Sequence, residues 1–129
     1  VIDLYEHLKI LYVEDSENDT ILMNHMLKDI CQNIHYERID SKEDLIERIK
    51  GEKWDMIIID NALPQFTALE AIEIIKEFKV KVPMICVSGS EMFDVKDKCL
   101  DAGADAFLLK DDSETFVKTV EEILQRCFG

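Results

Sequence analysis

Glycine and proline are scarce in this chain. Its 129 residues carry 4 Gly and 2 Pro, which excludes collagen-like, low-complexity and linker-rich architectures. Cysteine is sparse as well, and Cys31, Cys86, Cys99 and Cys127 lie in or beside apolar runs at spacings that fit neither a metal site nor a redox motif. Buried free thiols in a reducing compartment are expected. Long apolar runs are missing too. Stretches such as Met56–Ile59 fall far below the roughly 18 residues that a membrane span needs. The last shortage is of positive charge: 15 Lys+Arg stand against 28 Asp+Glu, a net charge of −13. Such a field repels nucleic-acid phosphates and anionic lipid, and no basic patch relieves it, so neither nucleic acid nor membrane is expected as a direct partner. No signal-like leader precedes the first apolar run, and the chain opens at Val1. A cytoplasmic location and a trimmed or excised N-terminus are expected.

What the chain does have is 47% hydrophobic residues, enough for one domain with a real core across residues 1–129. Short apolar runs alternate with longer segments of helical spacing. Strands are predicted at 10–13, 34–39, 56–59, 84–87 and 106–109, and helices at 20–30, 42–50, 68–78, 92–101 and 114–126. Most strand runs are apolar on successive positions, so both sheet faces should be covered. The last helix carries its stripe at Phe116, Val117, Val120, Ile123, Leu124 and Cys127. Ser16 with Asp19, Ser41 with Asp44 and Thr67 with Glu70 resemble capping boxes, and Gly51 and Gly103 follow the second and fourth helices as stop signals. Strict βα alternation with right-handed crossovers predicts a doubly wound five-stranded parallel sheet. It is flavodoxin-like, with strand order 2-1-3-4-5 and helices on both faces.

In such sheets ligands bind beyond the carboxyl ends of the strands. Glu14 and Asp15 follow the first strand, Asp60 the third, Ser88 the fourth and Lys110 the fifth. Three carboxylates in one crevice repel unless a hard cation lies among them, and oxygen-only ligation suits magnesium. A metal-loaded acidic pocket with a hydroxyl and an ammonium is suited to receiving a phosphoryl group, with Asp60 as nucleophile.

These residues carry a resemblance along nearly the whole chain. Glu14-Asp15 after Ile10-Leu11-Tyr12-Val13, Asp60 before Leu63-Pro64, Ser88, and Lys110 after Ala102–Leu109 resemble the receiver domain of two-component response regulators, the CheY-like family. The resemblance implies that Asp60 is the phosphoacceptor, and that Asp15, Asp60 and the Ala62 backbone carbonyl ligate magnesium, with Glu14 acting mostly through a metal-bound water. It also implies that Ser88 and Phe107 form the switch pair and that Lys110 pairs with the phosphoryl group. A sensor histidine kinase or histidine phosphotransfer protein is the implied donor. The output partner or domain is expected to read the fourth helix, fifth strand and fifth helix, because no output element follows. Phosphorylation and dephosphorylation would be self-catalysed.

Two departures from the family pattern stand out. Thr67-Ala68 replaces the usual Asp-Gly, so a turn that relies on glycine must be rebuilt, with the Thr67/Glu70 box as a replacement. Asp111 replaces the proline after the lysine, and a non-proline cis bond costs about 2.5–4 kcal/mol, so trans geometry or visible strain is expected there. Ser88-Gly89 with Lys110-Asp111 resembles receivers joined to PAS or kinase modules, which hints at excision from a hybrid protein. Phe107 is equally readable as a packed ring, and Ser88-Gly89 as a plain βα turn. His7, His25 and His35 lack ligand spacing, and Met23, Met26, Met84 and Met92 read as packing residues; Met92-Phe93 opens the fourth helix and adjoins the readout surface or the core. The alternative to the phosphoacceptor switch is a receiver-like interaction module that no longer takes phosphate. A flavin carrier is opposed by Glu14-Asp15-Ser16-Glu17 where a phosphate loop is needed. A dehalogenase-like phosphatase lacks the second acid in Asp60-Asn61-Ala62.

Overall fold

The computed structural model describes residues 6–90 and 93–128. Five parallel strands form one sheet in the order β2-β1-β3-β4-β5: β1 (Leu8–Val13), β2 (Ile34–Ile39), β3 (Met56–Asp60), β4 (Met84–Ser88) and β5 (Ala106–Leu109). Helices α1 (Glu17–Met26), α2 (Lys42–Gly51), α3 (Ala68–Glu77), α4 (Phe93–Ala102) and α5 (Ser113–Phe128) fill the crossovers. The doubly wound reading holds.

The strand period of two sorts side chains onto two cores. Leu11, Val13, Ile57, Ile59, Met84 and Cys86 join Leu45, Ile49, Ala71, Ile72, Ile75 and Cys99 on the α2, α3 and α4 face. Their strand neighbours Ile10, Tyr12, Met56, Ile58, Ile85 and Val87 join Met23, Leu27, Phe116, Val120, Ile123 and Leu124 on the α1 and α5 face. β3 and β4 are buried at every position, as central strands of a doubly covered sheet must be. Each fully buried Leu or Ile contributes about 1.5–3 kcal/mol relative to exposure. β2 departs from this: His35, Tyr36 and Arg38 are exposed on a strand at the edge of the sheet.

Several boundaries differ from the sequence expectation. β1 begins two residues early, where Leu8 pairs Ile34 on β2. Asp60 and Ser88 are the last residues of β3 and β4, in register with Val87 and Leu109 respectively. α1 ends at Met26 and the chain tightens into a 3-10 turn at Leu27–Asp29 rather than continuing as one helix to Ile30. The expected start of α4 at Met92 lies outside the described residues.

Capping separates into two kinds. Thr67 accepts from the Glu70 N–H while the Glu70 carboxylate accepts from the Thr67 N–H, a complete box. It occupies the turn where the glycine is missing. Ser16 and Ser41 accept from Asp19 and Asp44 N–H respectively, but neither acid reciprocates. Gly103 follows α4 with φ +127, a conformation glycine adopts freely. Gly51, expected beyond α2, is instead its last residue. Helix α3 ends on Lys79 at φ 58, with Lys79 N–H on Lys76 O and Val80 N–H on Ile75 O, a Schellman closure made without glycine. Cys31, Cys86 and Cys99 are buried as expected, but Cys127 is exposed: the α5 stripe leaves the sheet after Leu124, past the end of its strands. The Lys110-Asp111 peptide, like every other described one, is not cis.

Candidate functional site at the carboxyl edge of the sheet

β1 delivers Glu14 and Asp15, β3 delivers Asp60, and β5 delivers Lys110 to one edge of the sheet. Pairing of β1 with β3 through Val13 and Ile59 places the three acids together. One carboxylate oxygen from each of Glu14, Asp15 and Asp60 lies within 4.8 Å of the others. Glu14 and Asp60 are 1% and 3% exposed, whereas Asp15 faces solvent. The aliphatic strand Met56–Ile59 and the Val87 backbone, which accepts from Asn61 N–H at 2.8 Å, hold the base of Asp60 fixed. Its Oδ1 accepts from the Ala62 N–H at 3.1 Å.

Lys110 is the counter-charge. Its Nζ lies 2.6 Å from Glu14 Oε1, 2.8 Å from Asp19 Oδ2 and 3.4 Å from Asp60 Oδ1. Its own N–H donates to Ser88 O at 2.8 Å, which ties β5 to the end of β4. Burial pushes the Glu14 carboxyl up to about 7, reinforced by Asp60 and opposed by Lys110. The Lys110 ammonium is held above its ordinary range: burial works against it, but the Asp19, Glu14 and Asp60 carboxylates prevail.

The remaining expected residues make other contacts. The Ser88 hydroxyl donates to Ser90 O at 2.7 Å and accepts from Ser90 N–H at 3.3 Å, so it closes its own loop in this state. Phe107 is half-buried and packs on the α2, α3 and α4 core. Ala62 is exposed two residues beyond Asp60. His7, His25 and His35 are exposed, and Met23 and Met84 are core residues.

Two residues at the site escaped the sequence reading. Arg38 on β2 donates from Nη1 to Glu14 O at 3.2 Å, anchoring the acidic loop. Asp19 contributes the second-shortest contact to Lys110. Its signal was the Ser16-x-x-Asp19 pattern, which reads as a cap alone.

Oxygen ligands only, three carboxyl groups with one of them open to water, fit a hard divalent cation such as magnesium and not zinc or copper. Among the described residues no buried side-chain polar atom lacks a hydrogen-bond partner, so the charge excess, not an orphan donor, is what points to a cation.

The profile described as response regulator receiver domain matches residues 10–121. The chain belongs to that family. This receiver is 30% identical over 105 residues to the signal transduction histidine-protein kinase BarA of Escherichia coli (strain K12), a match covering 80% of the chain and 11% of the kinase. It is 24% identical over 123 residues to the cell cycle transcriptional regulator CtrA of Caulobacter vibrioides (strain NA1000 / CB15N), covering 95% of the chain and 52% of CtrA. The receiver thus spans a small part of the one and about half of the other. In fold it is similar to the response regulator receiver domain protein (CheY-like) from Methanospirillum hungatei JF-1, with a TM-score of 0.80 at 20% identity over 94% of this chain and 96% of that one. Receivers are parts of two-component signalling systems, and the acidic pocket of this one is compatible with magnesium and phosphorylation. Among the described residues no helix is long and apolar enough to cross a membrane.

Proposed function

We propose that this receiver takes a phosphoryl group onto Asp60 from a histidine kinase or a histidine phosphotransfer protein and passes the signal on by changing conformation. The observation that carries the reading is the convergence of the Glu14, Asp15 and Asp60 carboxylates within 4.8 Å with the Lys110 ammonium 3.4 Å from Asp60. An interaction module would have no use for so costly a charge cluster.

Asp60 acts as nucleophile: a carboxylate oxygen bonds to phosphorus as the bond from phosphorus to the donor's nitrogen or oxygen breaks, leaving an acyl phosphate. Its buried base and the Ala62 N–H fix the carboxylate for in-line attack, which is most of what phosphoryl transfer asks of a protein. Lys110 turns from its carboxylates to the phosphoryl oxygens, and the Ser88 hydroxyl leaves Ser90 to donate to another. Phe107 then repacks as the loop after β4 moves. Glu14, Asp15, Asp60 and the Ala62 carbonyl would hold magnesium, which supplies the positive charge that lets one anion approach another. Loss of the phosphoryl group to water is self-catalysed at the same residues. The surface of α4, β5 and α5 carries the response to an output protein or domain, through a population shift that phosphoryl contacts bias. Residues 1–129 act as a single receiver unit, in the cytoplasm.

Incubation with acetyl phosphate and magnesium is expected to add the mass of one phosphoryl group to the wild-type chain and none to Asp60→Asn. An unmodified wild type, or equal modification of the variant, overturns the reading.

A further inference from the structure

Lys110 has three carboxylate neighbours, and they are not equivalent. Glu14 and Asp60 belong to the acidic cluster. Asp19 does not: it stands on the first turn of α1, with its carboxylate 2.8 Å from Lys110 Nζ and 44% exposed. The local chain offers Asp19 another partner. Ser16 accepts from the Asp19 N–H at 3.1 Å, and a capping box would send the Asp19 carboxylate back to the Ser16 N–H. Instead the Ser16 N–H donates to Glu14 Oε2 at 3.3 Å, and Asp19 reaches across to β5. The cap fixes the Asp19 backbone while its charge is spent on Lys110.

We propose that Asp19 is a positioning residue that reserves Lys110 for the incoming phosphoryl group by giving its ammonium a carboxylate outside the metal cluster. The inference rests on the cation-assisted phosphoacceptor reading. A divalent cation and an ammonium compete for the same two acids, Glu14 and Asp60. Without a third acid the ammonium either blocks the cation or is driven from the pocket by it. Asp19 lets Lys110 yield Glu14 and Asp60 while staying at the site, one short movement from Asp60. At the N-terminal turn of a helix its negative charge is also favoured by the peptide dipoles.

The test is a double-mutant cycle on the unphosphorylated chain, read as magnesium affinity by calorimetry. Asp19→Asn is expected to weaken magnesium binding by about three- to tenfold, as a charge-assisted pair would when broken. Lys110 then leans on the metal ligands. Lys110→Gln removes the competitor and strengthens binding. In the Lys110→Gln background, Asp19→Asn is expected to change affinity by less than about twofold, the effect of a nearby charge alone. Glu17→Gln, the same loss of charge on an exposed residue of the same turn, serves as the control and changes it equally little. Equal weakening by Asp19→Asn in both backgrounds, or no weakening in either, overturns the proposal. Thermal melts of each variant confirm the fold, since Asp19 is half exposed and its replacement is isosteric. Phosphorylation by acetyl phosphate is measured separately. Additive affinities with normal phosphorylation sink the role of Asp19, whereas normal coupling without phosphorylation sinks the phosphoacceptor reading.

Discussion

At the scale of single residues, the site works by placing charges where solvent alone would not hold them. Glu14 is the sharpest case. Burial raises its carboxyl to about 7, so without a cation the folded chain keeps a proton there that the unfolded chain, with an ordinary carboxylate value of about 4.3, has already lost. The folded state therefore binds more protons between those values, and stability falls as pH rises from about 4.3 to 7. A cation reverses the preference, because binding must displace that proton. Magnesium affinity is expected to rise with pH up to about 7 and to level off above it, measured by calorimetry at pH 6, 7 and 8. Glu14→Gln should flatten that profile. A wild-type affinity unchanged across the range would rule out Glu14 as the group that titrates. Sequence alone marked Glu14, Asp15, Asp60, Ser88 and Lys110, because each follows an apolar run at a strand end. It did not reveal Asp19, whose role depends on α1 lying beside the end of β5, a distance of 91 residues in sequence.

At the scale of elements, two helix ends show how local chemistry and tertiary placement divide the work. Helix α4 ends with Gly103 at φ +127, where a Cβ would stand 3.4 Å from Lys76 Cδ. Helix α3 ends with Lys79 at φ 58, a left-handed conformation that costs a side chain about 1–2 kcal/mol. Lys79→Gly removes that cost but gives the unfolded chain about 0.4–1 kcal/mol more entropy. A net gain of about 0.5 kcal/mol is expected, and Gly103→Ala should lose at least as much, because φ +127 lies outside the left-handed well that a side chain tolerates. Urea unfolding of both variants checks the pair, and opposite signs are required. Gly103 was readable as a stop signal because glycine advertises its conformation. Lys79 was not, because nothing about lysine signals φ above zero. The half-capping of α1 was equally hidden, since Ser16-x-x-Asp19 and Thr67-x-x-Glu70 look alike until Lys110 draws Asp19 away.

At the scale of the whole molecule, a net charge of −13 opposes compaction, and three of the acids converge in one pocket. A ligand that binds only the folded chain stabilises it by RT ln(1 + [L]/Kd), about 2.7 kcal/mol at a hundredfold excess over Kd. Magnesium is therefore expected to raise the melting temperature beyond what sodium chloride of equal ionic strength achieves. Asp15→Asn and Asp60→Asn should each abolish the difference, as read by thermal melts. A magnesium effect that salt reproduces would reduce it to general screening.

By itself the sequence determined the α/β alternation, the two-faced burial of the central strands and which polar residues stand at the carboxyl ends of the strands. Each of these is written in local periodicity and in the residue that follows an apolar run. Only the tertiary structure decided which helix face meets which strand end, and so that Asp19 and Arg38 join the site while Ser88 turns into its own loop. It also left β2 half bare and Cys127 outside the core. The physical reason is the same throughout: hydrophobic period is a property of neighbours along the chain, whereas a charge is stabilised by whatever partner folding brings within about 3 Å of it.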